Sequence, residues 1–230
     1  MILSASIFFR LKAKKVKKTS NKKINQTKSN NSIITQKKQI IKKSNPKSIS
    51  DPKKNYKGPI FIYYASQSGT ASKFAEDLSN LFFSNNYLTF VQNINKFKIS
   101  QFSLQKNVIF ILSTHYDGDP PDNCTDFLKS IKDSTNRKSI SNKRFCIFGL
   151  GDITYDRFND FAKKVNHVFT KYESKEVMKI GLGSDHEGNI EQYFDKWKRK
   201  CIRAWKKIEL PPYKGNIKIC LLYTSPSPRD

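Results

Sequence analysis

From residue 58 onward, the chain alternates between short apolar runs and longer stretches with apolar residues at helical spacing. Residues 60–64 form an apolar run after Gly58-Pro59, which reads as a buried strand. In residues 70–84, Ala71, Phe74, Ala75, Leu78, Leu81 and Phe82 recur at i, i+3, i+4 and i+7, one face of an amphipathic helix. Residues 87–94 read as a second strand. Residues 108–112 are apolar throughout, as expected of a central parallel strand covered on both faces. A helix is expected over residues 122–131 and a fourth strand over 145–148. Phe158, Phe161, Ala162, Val165, Val168 and Phe169 mark a further helix, and residues 177–180 a fifth strand. Ile190, Phe194, Trp197, Cys201 and Trp205 stripe a last helix, which Pro211-Pro212 must end. Strands alternating with helices predict an α/β domain, a doubly wound parallel sheet with helices on both faces.

Charge divides the chain. Of 230 residues, 43 are Lys or Arg and 19 Asp or Glu, a formal charge of +24. Residues 1–57 hold 17 of the basic residues and one acid, Asp51, so most of the excess lies in one Lys/Asn-rich segment. A nucleic-acid-binding surface spread over the whole fold is therefore not indicated. That segment has too few large apolar groups to offset its chain entropy and reads as a disordered basic extension. Its short patch Ile7, Phe8 and Phe9 cannot span a bilayer, and leaves open a membrane-surface contact or a targeting role. The folded domain is expected over residues 58–208. Residues 209–230 read as a linker or the start of a further domain, with a strand begun at 217–223 and a tail that is foreign in character. Cys124, Cys146, Cys201 and Cys220 form no CxxC pair, which argues against a zinc or iron–sulfur site and fits a reducing, cytoplasmic compartment.

Ligands of open α/β sheets bind beyond the carboxyl ends of the strands, so the loops there carry the chemistry. After the first strand come Ser66, Gln67, Ser68, Gly69, Thr70 and Ala71. Hydroxyls and an amide at a helix start suit an anion, and without Lys or Arg they suit a monophosphate ester better than a triphosphate. An ordinary capped helix would show the same residues. After the third strand come Ser113, Thr114, His115 and Tyr116, then the acidic run Asp117, Gly118, Asp119, Pro120, Pro121 and Asp122. After the fourth come Gly149, Leu150, Gly151, Asp152, Ile153, Thr154, Tyr155, Asp156, Arg157, Phe158 and Asn159. The glycine pair here lacks the third glycine of a dinucleotide fingerprint and follows a late strand. The fifth is followed by Gly181, Leu182, Gly183, Ser184, Asp185, His186, Glu187 and Gly188. Together these loops describe a phosphate cradle with a planar ring between Tyr155 and His115 or Tyr116.

The segments YASQSGTASKFAEDL, THYDGDPPDN, GLGDITYDRFNDFAKKV and GLGSDHEGNIEQYFDKW resemble the FMN-binding, flavodoxin-like domain of NADPH-dependent diflavin reductases. That family includes NADPH–cytochrome P450 reductase and the cytosolic diflavin reductase of iron–sulfur assembly. The resemblance implies a five-stranded sheet of order 2-1-3-4-5 and FMN, with FAD and NADPH bound on a C-terminal part beyond this chain. By position, Ser66 to Ala71 would wrap the phosphate. Ser113 to Tyr116 and Leu150 to Asn159 would hold the isoalloxazine, with Tyr155 stacked on it, and Asp185 would meet the ribityl or nearby backbone. The chain departs from P450 reductases at His115, where they have Tyr, and at Tyr116, where they have Gly. This bulkier loop is expected to alter the stability of the one-electron-reduced flavin.

The implied activity is electron transfer, from NADPH through FAD to this FMN and on to a protein acceptor, a P450-type haem protein or an iron–sulfur assembly protein. Asp117, Asp119, Asp122 and Asp126 are expected to steer a basic acceptor surface to the flavin edge and to lower its potential, although the same acids would also serve as turn and helix caps. A location at the cytosolic face of a membrane is compatible with this reading. An alternative is the flavodoxin/radical-SAM enzyme of wybutosine synthesis, which shares such loops and a G-x-I-E-x-x-F-x-x-W helix; there the basic N-terminus would meet tRNA phosphates. A flavin-free binding fold is the third reading.

Overall fold

The computed structural model describes residues 55–115, 118, 120–121 and 124–214. The basic extension up to residue 54, Tyr116, Asp117, Asp119, Asp122 and the strand expected at 217–223 lie outside the described residues. In chain order the elements are β1 (Lys57–Ala65), α1 (Thr70–Ser84), β2 (Tyr87–Asn93), α2 (Ile99–Phe102), β3 (Asn107–Ser113) and α3 (Thr125–Lys132). They continue with α4 (Arg137–Ile140), β4 (Arg144–Gly151), α5 (Asp160–Lys171), β5 (Lys175–Glu176), β6 (Gly181–Ser184) and α6 (Ile190–Lys206).

All strand pairs are parallel, in the order β2-β1-β3-β4, with β5 and β6 both on the outer edge of β4. The order is thus 2-1-3-4-5, with the fifth position filled by two short strands. The central strand shows why its run is apolar on every residue. Ile109 and Ile111 face one helical layer, α1 and α6, whereas Val108, Phe110 and Leu112 face the other, α3 and α5. Phe74 of α1 stacks on Phe194 of α6 at 4.1 Å and 3°, clamping that layer together. Leu210, past the last helix, is buried in the same layer, and the Tyr213 N–H donates to the Tyr56 carbonyl at 2.7 Å.

Two expectations are corrected. The fifth strand is not residues 177–180. From Phe145 to Phe148 β4 advances three residues, while its partner advances five, from Glu176 to Gly181, so after a last bond from the Val177 N–H to the Phe145 carbonyl at 2.7 Å the chain bulges away from β4 and the pairing resumes on glycines. Those glycines are there for packing: a Cβ on Gly181 would lie 2.3 Å from Trp197 Cδ1, and one on Gly183 would lie 2.6 Å from Phe148 Cζ. The helix expected from residue 122 begins at Thr125, with buried Cys124 just before it. Cys146 and Cys201 are reduced thiols in contact at 3.5 Å within the core.

Candidate functional site

A cleft of about 530 Å³ opens beyond the carboxyl ends of β1, β3, β4 and β6. That volume falls in the range of roughly 300–1,000 Å³ usual for small-molecule sites. Strand register assembles it, because Ser113 is level with Leu150, and Leu150 and Gly151 are level with Gly183 and Ser184.

One wall is the turn from β1 into α1. Ser66 does not line the cleft; its Oγ accepts from the Gly69 N–H at 2.9 Å and closes the turn. Gly69 has φ +92°, which a side chain would resist, and nothing else crowds it. Gln67, Ser68 and Thr70 face the cleft, whereas Ala71 is fully buried behind them. No side chain caps the first turn of α1 and no acid stands in it. Its free N–H groups and positive dipole end are therefore open to an anion.

The floor comes from the end of β3. The Ser113 hydroxyl donates to the Ala65 carbonyl at 2.7 Å, and the Thr114 N–H donates to the Leu150 carbonyl at 2.8 Å. Thr114 Oγ1 is buried in this wall without a hydrogen-bond partner. Such a group is destabilising unless a ligand completes it. His115 is exposed on the rim, and the buried Pro121 lines the cleft.

The opposite wall is the loop from β4 into α5. Leu150, Gly151, Asp152, Tyr155, Arg157, Phe158 and Asn159 line the cleft, whereas Ile153, Thr154 and Asp156 do not. Asp152 Oδ1 accepts from the Thr154 N–H at 2.9 Å and from its hydroxyl at 2.7 Å. These bonds, the backbone one foremost, hold the Asp152 carboxyl below its ordinary value, so it is ionised at neutral pH. Tyr155 is 43% exposed, an aromatic face offered at the cleft mouth. The stem of Arg157 lies across Gly118, where a Cβ would sit 2.5 Å from Arg157 Cβ. Asp185 stands exposed on the rim, and its N–H donates to the Gly151 carbonyl at 2.8 Å.

Ile190 and Pro121 line the cleft without having been expected there. Ile190 was legible only as the first apolar position of its helix. Ser184 was also missed as a structural contributor: its Oγ accepts from the Ile153 and His186 N–H groups. Among the described residues no cluster of three or more His, Cys, Asp or Glu is placed to hold a metal ion. None of their helices is long and apolar enough to cross a membrane.

The model of the family described as Flavodoxin matches residues 62–197. The chain belongs to the flavodoxin family. NADPH–cytochrome P450 reductase of Homo sapiens is 30% identical over 146 residues, covering 61% of this chain and 21% of that protein. The enzyme of the same name from Emericella nidulans is 29% identical over 150 residues, covering 60% of the chain and 22% of that protein. The chain thus spans about a fifth of the length of these curated relatives. Among solved structures, a flavodoxin of Streptococcus pneumonia TIGR4 superposes with a TM-score of 0.57 at 18% identity, over 66% of this chain and 100% of that one. Oxidised flavodoxin 1 of Bacillus cereus gives a TM-score of 0.55 at 18% identity, again over 66% of this chain and 100% of that one. Fold and family support FMN as the group that the cleft holds, and the residues fit it: neutral donors and an uncapped helix start for a phosphate, an unpartnered buried hydroxyl, and an aromatic loop opposite.

Proposed function

We propose that the domain binds FMN and serves as the electron-transfer module of an NADPH-dependent diflavin oxidoreductase. In this reading it receives electrons from an FAD/NADPH part and hands them to a protein acceptor. The observation that carries the reading is the pairing within one cleft of a cation-free anion cradle, Gln67, Ser68 and Thr70, with the aromatic loop bearing Tyr155. The names of the curated relatives support the reductase role over the tRNA-modifying alternative.

FMN supplies redox chemistry when bound; the chain supplies its placement. Ser68, Thr70 and the first N–H groups of α1 would hold the phosphate, with no Lys or Arg among them. Thr114 Oγ1 gains a partner in the wall. Tyr155 and Phe158 would shield the ring from water on the side of the β4–α5 loop, while ionised Asp152 adds negative charge to the rim. Asp126, exposed in the first turn of α3, adds to the charge that Asp117, Asp119 and Asp122 bring to the preceding stretch of sequence and favours a basic acceptor surface.

The test is reconstitution followed by electron transfer. Flavin-free protein should take up one FMN per chain, and reduced FMN domain should pass electrons to a basic haem protein at a rate that falls steeply with added salt. A protein that takes up no FMN ends the reading; a rate indifferent to salt removes the acidic docking role. Downstream coding sequence separates the two enzymes, since an FAD/NADPH domain supports the reductase and a CxxxCxxC cluster the alternative.

A further inference from the structure

The wall carrying Tyr155 is a loop, and loops of this length need external ties to keep one shape. Two side chains supply those ties, one from each side of the junction with β6. Ser184 is only 3% exposed, and its single hydroxyl oxygen accepts two backbone N–H groups, from Ile153 at 3.1 Å and from His186 at 3.2 Å. It thereby joins the β4–α5 loop to the turn that follows β6. A hydroxyl is suited to this role, having two lone pairs on one atom and almost no bulk.

Asn159 makes the reciprocal tie. It is fully buried at the start of α5, with φ 55° and ψ 28°, a left-handed conformation that Asn tolerates better than most residues. Its Nδ2 donates to the Gly183 carbonyl at 3.0 Å. Room for it exists because Gly149 and Gly151 face it; a Cβ on either would lie 2.5 Å or 3.2 Å from Asn159 Oδ1. The Asp185 N–H to the Gly151 carbonyl, 2.8 Å, closes the junction between the two ties. Neither side chain is needed for the sheet, since β4 and β6 already pair through their backbones. What they fix is the loop between residues 151 and 159.

We propose that Ser184 and Asn159 are positioning residues, a two-point clasp that holds the Tyr155 loop in its ligand-ready shape before any ligand arrives. The proposal rests on the FMN reading for its ligand, but the clasp itself is a property of the free protein. A preformed wall lowers the ordering cost of binding. Because the clasp acts on the ring side of the cleft and not on the phosphate cradle, it affects FMN and riboflavin alike.

Amide hydrogen exchange and flavin titration on the flavin-free full chain test it. In Ser184→Ala, exchange at Ile153 and His186 should quicken about tenfold while core amides of β3 stay unchanged. The Kd values for FMN and riboflavin should both rise about tenfold, leaving their ratio as in the unaltered protein. Asn159→Gly tolerates the left-handed backbone and removes the side-chain tie together with its packing against Gly149, so it should reproduce both effects without an αL penalty. Exchange at Ile153 unchanged in both variants, or FMN weakened with riboflavin unaffected, overturns the proposal. If the unaltered protein binds neither flavin, the FMN reading fails by itself. The exchange data then decide the clasp alone, quickening supporting it and unchanged protection refuting it.

Discussion

Gly149→Ala probes a tight packing point behind the β4–α5 wall of the cleft. A Cβ at residue 149 would lie 2.5 Å from Asn159 Oδ1, 2.8 Å from Ala162 Cβ and 3.0 Å from Asn159 Cγ. Both neighbours belong to the start of α5, which is packed directly on β4, and Asn159 and Ala162 are fully buried. Overpacking of this kind costs about 1–3 kcal/mol. Displacing Asn159 also breaks the Nδ2 bond to the Gly183 carbonyl, worth about 1 kcal/mol. Against this, Ala in place of Gly restores about 0.5–1 kcal/mol of strand stability. The net loss is about 1–3 kcal/mol, a fall in Tm of roughly 3–10 °C for a domain of this size. Urea unfolding of the flavin-free protein measures it. The decisive comparison is the same substitution in an Asn159→Gly background, where the amide contacts are gone and Ala162 still crowds the methyl. The cost there should be smaller by about 1 kcal/mol. An equal cost in both backgrounds would show that Asn159 is not what the glycine accommodates.

Thr70→Asp places a carboxylate at the uncapped start of α1, where an anion is otherwise drawn. Helix stability should be unchanged or slightly improved through the dipole, while FMN affinity falls at least a hundredfold and riboflavin affinity hardly at all. A matching loss for both flavins would show that the phosphate lies elsewhere. Lys143 is buried, donates to the Phe102 and Gln105 carbonyls at 2.8 and 2.6 Å, and has its pKa pushed down to about 8 by desolvation, with the Lys106 charge adding to it. Its folded value lies below its unfolded one, so between pH 8 and about 10.5 the unfolded chain holds the extra proton and stability rises with pH. Relative to Lys143→Met, the unaltered protein should gain up to about 3 kcal/mol over that window, the carbonyl bonds trimming this ceiling. A flat difference between the two proteins from about pH 7.5 to 10.5 contradicts the shift.

How far the sequence could be read follows from which physical signal each element leaves. β3, with its unbroken apolar run at 108–112, and α6, with Trp197 and Trp205 on its buried stripe, announced themselves because burial on two faces leaves a continuous run and burial on one leaves a period. The four-residue helices α2 and α4 are too short to show one. β6 was misplaced because its pairing residues include Gly181 and Gly183, selected for the approach of Trp197 and Phe148 and not for apolarity, while Val177 and Met178, between the two paired segments, pack on the core. In the site, the loops after β1, β3 and β4 were legible by position and residue type. The division of labour within them was not. Ser66 closes a turn and does not face the cleft, Ile153 and Asp156 do not line it, and Ser184 works through two backbone N–H groups. Those roles depend on where hydroxyls and amides lie in space, which no spacing along the chain encodes.

The central claim is that one cleft grips a phosphate by neutral donors and a ring by an aromatic loop. Parallel fluorescence titrations of flavin-free protein with FMN and with riboflavin test it most directly. The account predicts one site per chain, quenching of both flavins by the aromatic wall, and at least tenfold tighter binding of FMN. Equal affinity for the two, or no saturable binding of either, would contradict it.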